Sequence, residues 1–237
     1  EIIAESIENN DHRGFFAYVY RRTTAQIKQA ILDGRFEDNP RMEKMDVRFA
    51  NKYIEAYWNY NDDRPITQSW LVSFEARKER LTIMQHILMG MNSHINVDLG
   101  IAASETAPGN LIQELKNDFM TINDILASLT DEMEQRVDRV SRWMFLLNWI
   151  GGKTEESIIN FSIKKARNEA WEFACKLAPM DEKSKKNKID TVDSMIALLS
   201  GIIRRPPGIL LRLVIQFISR FEEKNVKKII EGLEKKI

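Results

Sequence analysis

The sequence predicts an all-α protein, a single-domain helical bundle of about seven or eight helices around a buried central helix at residues 81–102. Three observations lead to this prediction. Apolar residues recur at helical spacing, scarce glycine and proline residues mark the gaps, and no useful length alternates between apolar and polar residues as a half-buried strand does. We expect residues 1–14 to be a flexible N-terminal segment and residues 15–237 to be the helical domain.

Turn-forming residues set the bounds of the predicted helices. In chain order, the helices span about residues 15–33, 41–60, 67–102, 111–129, 131–150, 154–177, 190–203 and 209–233. Gly34 ends the first helix, the turn before Pro65 ends the second, and a break is expected near Arg77 in the third. The pair Pro108-Gly109 separates the third helix from the fourth.

The second half of the chain is divided in the same way. The pair Gly151-Gly152 ends the fifth helix, and the acidic residues of Thr154-Glu155-Glu156-Ser157 lie where the dipole of the sixth favours them. Residues 181–188 are rich in charge, so we expect a mobile loop there. Residues 204–208 contain two prolines and separate the last two helices. These short connections favour one antiparallel bundle.

Composition excludes several classes of function. Lysine plus arginine and aspartate plus glutamate both total 35, so the balanced charge gives no case for nucleic-acid binding. No apolar stretch reaches the roughly 18–20 residues that span a bilayer, and we assign the amphipathic residues 209–221 to core packing rather than to a membrane surface. The single cysteine, Cys175, excludes an intramolecular disulfide and fits a cytoplasmic location. The sequence does not determine the oligomeric state.

The predicted central helix carries polar residues on a surface that should be buried. Because an α-helix advances about 100° per residue, small and polar residues share one face: His86, Gly90, His94 and Asp98. A second face holds Gln85, Met89, Asn92 and Asn96. No charged side chain occurs from residue 81 to 97, and a helix that is apolar all round is buried. An unpaired buried polar group costs about 1–3 kcal/mol, so these residues need partners.

The spacing of His94 and Asp98 allows their side chains to meet one turn apart. Three interpretations follow. Asp98 orients His94 as a general base, the pair binds a divalent metal such as zinc, or the two form a structural hydrogen bond that fixes the register of the helix. Gly90 costs roughly 1 kcal/mol relative to alanine in mid-helix, which indicates the close approach of a partner helix or a ligand.

Two further carboxylates lie in apolar stripes of other predicted helices. Asp46 shares a face with aromatic residues in the second helix, and Asp118 lies among aliphatic residues in the fourth. Facing helices of a bundle can bring such groups together in a metal or ligand site. Arg167, one turn from Trp171, either pairs with one of the acids or extends past Trp171 to solvent.

Four blocks, in order along most of the chain, resemble a mainly bacterial family of helical proteins of unknown function. They are Asp46-Val47-Arg48-Phe49-Ala50, Gln85-His86-x3-Gly90-Met91-Asn92-x-His94-Ile95-Asn96-x-Asp98-Leu99-Gly100, Asp118-Phe119-x3-Asn123 and Ala166-Arg167-x2-Ala170-Trp171. The resemblance implies a shared fold and a shared site, and no reaction. His94-x3-Asp98 is also similar to an element of the zinc-dependent phospholipases C, but the additional histidines and N-terminal tryptophan that bind zinc in that family have no counterparts here.

The leading hypothesis from the sequence is an enzyme of unassigned reaction, of the metal-dependent hydrolase kind. Its proposed catalytic residues are His94, Asp98, His86, Asp46 and Asp118, with His94 and Asp98 as metal ligands. The proposed ligand-binding or supporting residues are Arg48, Asn92, Asn96, Asn123, Arg167 and Trp171. The alternative is a non-catalytic scaffold, or a module that binds a small-molecule or lipid-like ligand, in which the same residues form a hydrogen-bond network. No Glu-x-x-His repeat, His-Glu-x-x-His or Cys-x-x-Cys motif supports a standard metal site.

Overall fold

The computed structural model describes residues 1–143, 146 and 163–235, and within these ranges the chain is helical and has no strand. The all-α prediction is therefore confirmed. The described α-helices are α1 (Ile2–Glu8), α2 (Arg13–Leu32), α3 (Asn39–Asn61), α4 (Gln68–Glu75), α5 (Ile83–Ser93), α6 (Leu99–Thr106), α7 (Lys116–Val140), α8 (Ile163–Leu177), α9 (Glu182–Arg204), α10 (Ile209–Phe221) and α11 (Val226–Glu234).

The central rod of the fold consists of α5, a π-helical turn at His94–Asp98 and α6. A capping box starts α5: the Gln85 amide donates to Thr82 Oγ1 over 3.1 Å, and the Thr82 amide donates to Gln85 Oε1 over 3.0 Å. The rod packs against α2, α3, α4, α8 and α9, so its polar faces lie in the interior as the sequence predicts. The expected break near Arg77 lies at the 3-10 turn Ala76–Lys78.

Two glycines of the rod allow close contacts between helices. A Cβ atom on Gly90 would lie 2.4 Å from Cγ of Phe16 in α2. A Cβ atom on Gly100 would lie 2.5 Å from Cδ1 of Phe173 in α8. The close approach expected at Gly90 is therefore made by an aromatic side chain of a neighbouring helix.

Several predicted boundaries differ from the observed ones because side chains cap the helices. The expected loop at 181–188 forms the start of α9, since the Asp181 side chain accepts hydrogen bonds from the amides of Lys183 and Ser184. The single C-terminal helix expected at 209–233 is divided into α10 and α11, where Asn225 caps α11 through the Lys228 amide. Helix α7 continues through the break expected near residue 130.

The N-terminal segment that we expected to be flexible contains α1, which packs against α2 and α11 and buries Ser6. The described residues form eleven α-helices instead of the expected seven or eight, because α1 was not predicted, the helix predicted at 67–102 is divided into α4, α5 and α6, and the one predicted at 209–233 is divided into α10 and α11. The helix end expected at Gly151-Gly152 and the start expected at Thr154 lie outside the described residues. Within the described part of the chain, no helix is both long and apolar enough to cross a membrane.

Candidate functional site

A cavity of about 1220 Å³ lies beside the π-helical turn. This volume exceeds the roughly 300–1,000 Å³ of typical small-molecule sites. Residues of α2, α3, α5, α7, α8 and α10 line it, and most of them are apolar, as in Phe16, Ile27, Met45, Phe49, Met120 and Ile215. Polar and charged side chains form the rest of the lining, and they include His94, Tyr20, Asp46, Asn123 and Arg167. A cavity with a mainly apolar lining and polar groups that fix orientation is the usual form of a small-molecule site.

His94 lies in the wall of this cavity and interacts with Asp98. His94 Nδ1 lies 2.9 Å from Asp98 Oδ2, and the same oxygen accepts a hydrogen bond from Trp70 Nε1 over 2.9 Å. His94 is 2 % exposed and Asp98 is 3 % exposed. The π-helical turn that contains both residues keeps their side chains adjacent, so the pairing expected from the sequence spacing is present.

This network defines the tautomer of His94. An indole nitrogen only donates, so Asp98 Oδ2 is the acceptor for both neighbours and His94 Nδ1 carries the proton. Burial lowers the pKa of His94, although the hydrogen bond and the charge of Asp98 oppose this effect. The neutral ring therefore presents an unprotonated Nε2, and this buried atom has no hydrogen-bond partner among the described residues.

Aromatic rings fix the orientation of the His94 imidazole. The Phe49 ring stacks on it with a centroid distance of 3.7 Å and an interplanar angle of 6°. The Tyr20 ring meets it edge-on at 4.5 Å, and the Phe16 ring does so at 5.9 Å. The imidazole is therefore held by Asp98 at one nitrogen and by aromatic contacts on its sides.

Asp46 and Tyr20 add two ionisable groups to the cavity wall. Burial raises the pKa of Asp46 to about 6, so this carboxyl group exchanges its proton near neutral pH. Burial also raises the pKa of Tyr20, and the nearby charge of Asp46 raises it further. The hydroxyl of Tyr20 therefore stays protonated at neutral pH, next to a carboxyl group that can be either acid or base.

Arg167 and Asn123 lie together elsewhere in the lining of the cavity. Arg167 Nε donates to Asn123 Oδ1 over 2.6 Å, and Nη2 donates to the Phe119 carbonyl over 2.7 Å. The guanidinium group also lies 4.5 Å from the centroid of the Phe119 ring. Neither an acid pairing nor an extension to solvent describes Arg167, since it is 4 % exposed and its described hydrogen bonds go to neutral groups.

The structure places His86 away from this cavity. Its Nε2 lies 3.1 Å from Nδ1 of His12, and both rings border a separate pocket of about 10 Å³. Burial is the main cause that lowers the pKa of His86 well below its ordinary value, and the charge of His12 lowers it further. A pocket of this size holds about one water molecule.

Asp118 also lies apart, in a structural role. It accepts hydrogen bonds from the amides of Glu37 and Asp38 over 2.6 and 3.1 Å, and from Arg41 Nη2 over 3.1 Å. These bonds join α7 to the turn before α3. Asp118 is therefore buried in an apolar stripe because its hydrogen bonds hold the turn before α3 against α7.

The remaining predicted residues have partners outside the cavity. Asn96 Nδ2 donates to Asn92 Oδ1 over 2.9 Å, and Asn92 Nδ2 donates to Ser200 Oγ over 2.9 Å, which ties the central rod to α9. Arg48 donates to the Glu105 carbonyl near the end of α6. Trp171 packs on Phe119 with a centroid distance of 5.0 Å.

Sequence reasoning missed two residues, Trp70 and Tyr20. Trp70 is 1 % exposed, and a buried indole N–H requires an acceptor, which is here Asp98. Tyr20 follows Phe16 by one helical turn, and Phe16 is the residue that packs on Gly90. The indole of Trp70 and the spacing of Phe16 and Tyr20 can be read from the sequence. Neither feature indicates which helices face each other.

The donor set does not fit a metal centre of the phospholipase C type. Within the described ranges, no group of three or more His, Cys, Asp or Glu side chains could hold a metal ion. Asp98 Oδ2 and His94 Nδ1 are occupied by each other, which leaves a single histidine nitrogen at the cavity. A metal centre of the phospholipase C type holds three zinc ions, and it needs several histidine and carboxylate ligands at one place.

Comparison with known proteins gives the family of the chain. Neither the curated proteins nor the solved structures include a significant match. A family model described as "Family of unknown function (DUF5995)" matches residues 1–206, which include the central rod, Asp46 and the Arg167–Asn123 pair. The chain therefore belongs to this family of unknown function, DUF5995.

Proposed function

We propose that this protein binds a mainly apolar small molecule in the cavity and that His94 Nε2 accepts a hydrogen bond from it. The observation that carries the proposal is the state of the imidazole: Nδ1 is held by Asp98, while Nε2 is buried at the cavity wall without a described partner. A buried hydrogen-bond acceptor without a partner costs about 1–3 kcal/mol of folding free energy, and a bound donor removes this cost.

Two buried polar residues elsewhere in the bundle, Asn92 and Asp118, differ from His94 in this respect. Asn92 and Asp118 have their hydrogen bonds satisfied by neighbouring helices, as expected for residues that hold a bundle together. His94 has a partner at Nδ1 and none among the described residues at Nε2, and it lines the cavity of about 1220 Å³. A purely structural role accounts for Nδ1 and leaves Nε2 unexplained.

The binding proposal is tested with N-phenyl-1-naphthylamine, a neutral apolar dye that becomes fluorescent in apolar sites. We expect the wild-type protein to bind the dye. Ile95, which lines the cavity, is replaced by tryptophan to fill the space, and the matched control is Val47→Trp on the exposed surface of α3. Ile95→Trp should weaken dye binding at least about tenfold, as expected when cavity volume is lost. Equal binding by both variants would contradict the proposal.

A second candidate function is catalysis with His94 as general base, and the Asp98–His94 pair favours it. In this function, Nε2 removes a proton from the bound molecule or from a water that attacks it, while Asp98 stabilises the imidazolium. The hydrolysis expected from the sequence would then proceed through this base.

This candidate is tested with p-nitrophenyl esters of increasing acyl length. General-base catalysis contributes roughly 10²–10⁴-fold, so His94→Gln should lower hydrolysis by at least about a hundredfold. Equal ester hydrolysis by the wild-type and His94→Gln proteins would restrict the function to binding.

A further inference from the structure

Arg167 is a buried cation that forms no ion pair with any acidic residue in the described part of the chain. Its described hydrogen bonds reach an amide oxygen and a backbone carbonyl, and its flat face lies on the Phe119 ring. A guanidinium has five N–H donors, and these bonds use two of them. Burying an unpaired charge is unfavourable, so proteins usually pair such a group with an anion.

The surroundings of Arg167 leave room for that anion. Arg167 and Asn123 both line the cavity described above. The other charged residues of its lining in the described chain are Asp46, Asp124, Glu134, Asp138 and Lys164. All of these except Asp46 are exposed, and Asp46 is half-buried. Burial lowers the pKa of Arg167 to about 9, so the group stays mainly protonated at neutral pH, and no carboxylate among residues 1–143 and 163–235 forms an ion pair with it.

We propose that Arg167, positioned by Asn123 and Phe119, is the subsite for the carboxylate of a long-chain amphiphilic acid. The inference rests on the proposed binding function and specifies the class of ligand. One buried positive charge matches one carboxylate, and the planar guanidinium suits a carboxylate because two parallel hydrogen bonds can form. The apolar side chains of the lining, such as those of Ile27 and Met120, then accommodate the hydrocarbon chain.

The two polar regions of the cavity would select opposite groups. Arg167 offers donors and positive charge, whereas His94 Nε2 offers an acceptor and Asp46 can be ionised. An acid whose chain carries a hydroxyl group would satisfy both regions. A second carboxylate at Asp46 would instead meet a like charge above pH 6, the pKa of that group.

The test compares binding of palmitate and hexadecanol by displacement of N-phenyl-1-naphthylamine. The wild-type protein should bind palmitate at least about tenfold more tightly than hexadecanol, as expected for a buried charge-assisted hydrogen bond. Arg167→Gln should remove this preference, so that palmitate binds no more tightly than hexadecanol. The matched control Lys165→Gln removes the same charge from an exposed position of α8 and should behave as the wild type.

The outcomes separate the two proposals. If both lipids bind equally to the wild-type protein, or if Arg167→Gln keeps the preference for palmitate, the carboxylate subsite is wrong while the cavity remains a binding site. If neither the dye nor either lipid binds, the binding function is wrong and the subsite with it. Should Arg167→Gln fail to fold, the wild-type comparison and Arg167→Lys, which keeps the charge and should retain a preference for palmitate, decide the matter.

Discussion

At the scale of single residues, the chemistry of the candidate site depends on one carboxyl oxygen that serves two donors. Asp98 Oδ2 accepts from Trp70 Nε1 and His94 Nδ1, and this double role makes His94 Nε2 an acceptor. Because the indole cannot accept, an asparagine at position 98 would place its amide oxygen at the same point and keep the same tautomer.

We therefore expect Asp98→Asn to fold and to retain a protonated Nδ1 on His94. The loss of the Asp98 charge should lower the pKa of His94 further, since that charge now raises it. ¹⁵N spectra of the imidazole recorded against pH measure both properties. Asp98→Ala leaves two buried donors unpartnered and should cost about 2–4 kcal/mol of stability. A protonated Nε2 in Asp98→Asn would show that the network does not define the tautomer.

Asp46 should make the free energy of unfolding decrease as the pH rises from about 4 to about 6. Its pKa rises from 3.8 to about 6 on folding, because burial favours the protonated form. In this range the unfolded chain loses the proton more readily than the folded protein does, so the folded state loses stability until the carboxyl group is ionised in both states. Asp46→Asn should flatten this part of the stability profile and add about 1–2 kcal/mol at pH 7, allowing for partial exposure. Chemical denaturation across this pH range measures the effect. The exposed Asp33→Asn is the control, and an unchanged slope in Asp46→Asn would contradict the prediction.

At the scale of secondary structure, the contact between α2 and α5 depends on the missing side chain of Gly90. Alanine is favoured over glycine in a helix by about 1 kcal/mol, but a Cβ at position 90 would overlap Phe16. Gly201 in α9 has no atom within 4 Å of the corresponding Cβ position, so it provides a matched comparison.

Gly90→Ala should destabilise the protein by about 1–3 kcal/mol, because overpacking outweighs helix propensity. Gly201→Ala should instead be neutral or stabilise it by up to about 1 kcal/mol. Urea denaturation of the two variants measures both signs. Phe16→Leu combined with Gly90→Ala should recover part of the loss, and a stabilising effect of Gly90→Ala alone would contradict the described packing.

At the scale of the whole molecule, residues near the N-terminus hold α11, the last described helix, in place. Tyr18 of α2 donates to the Leu233 carbonyl over 2.9 Å, and Asn10 accepts a hydrogen bond from the Val226 amide over 2.8 Å. Val226, Ile229, Ile230 and Leu233 of α11 are buried against Phe15 and Tyr18. The family match ends at residue 206, yet this later segment is part of the core.

Removal of residues 222–237 should therefore destabilise the protein by several kcal/mol, because burying each large apolar side chain contributes about 1.5–3 kcal/mol. Thermal unfolding of the truncated and full chains measures the loss. Tyr18→Phe removes only the bond to Leu233 and should cost about 1 kcal/mol. Equal melting temperatures for the truncated and full chains would show that α11 is not a part of the cooperative unit.

The sequence predicts the fold class because apolar residues recur at helical spacing along the chain. It predicts the His94–Asp98 pair because the two residues lie one turn apart in one helix. It does not separate Asp46 from Asp118, although both lie in apolar stripes, because their difference comes from other helices. Asp118 meets three donors at the turn before α3, and Asp46 borders a cavity. Helix ends at Asp181 and Asn225 were missed for a related reason, since a capping side chain starts a helix before apolar residues recur.

Helix α10 contributes Leu211 and Ile215 to the cavity lining, and it lies beyond the residues that the family model matches. The polar residues of the lining and most of its apolar residues lie within residues 1–206, whereas α10 adds two aliphatic residues from beyond the family match. Under the proposed binding function, substitutions at positions 211 and 215 should change the length of the ligand that fits and leave the imidazole and the guanidinium unchanged. The size of the accepted ligand can then vary independently of the polar groups that would hold it.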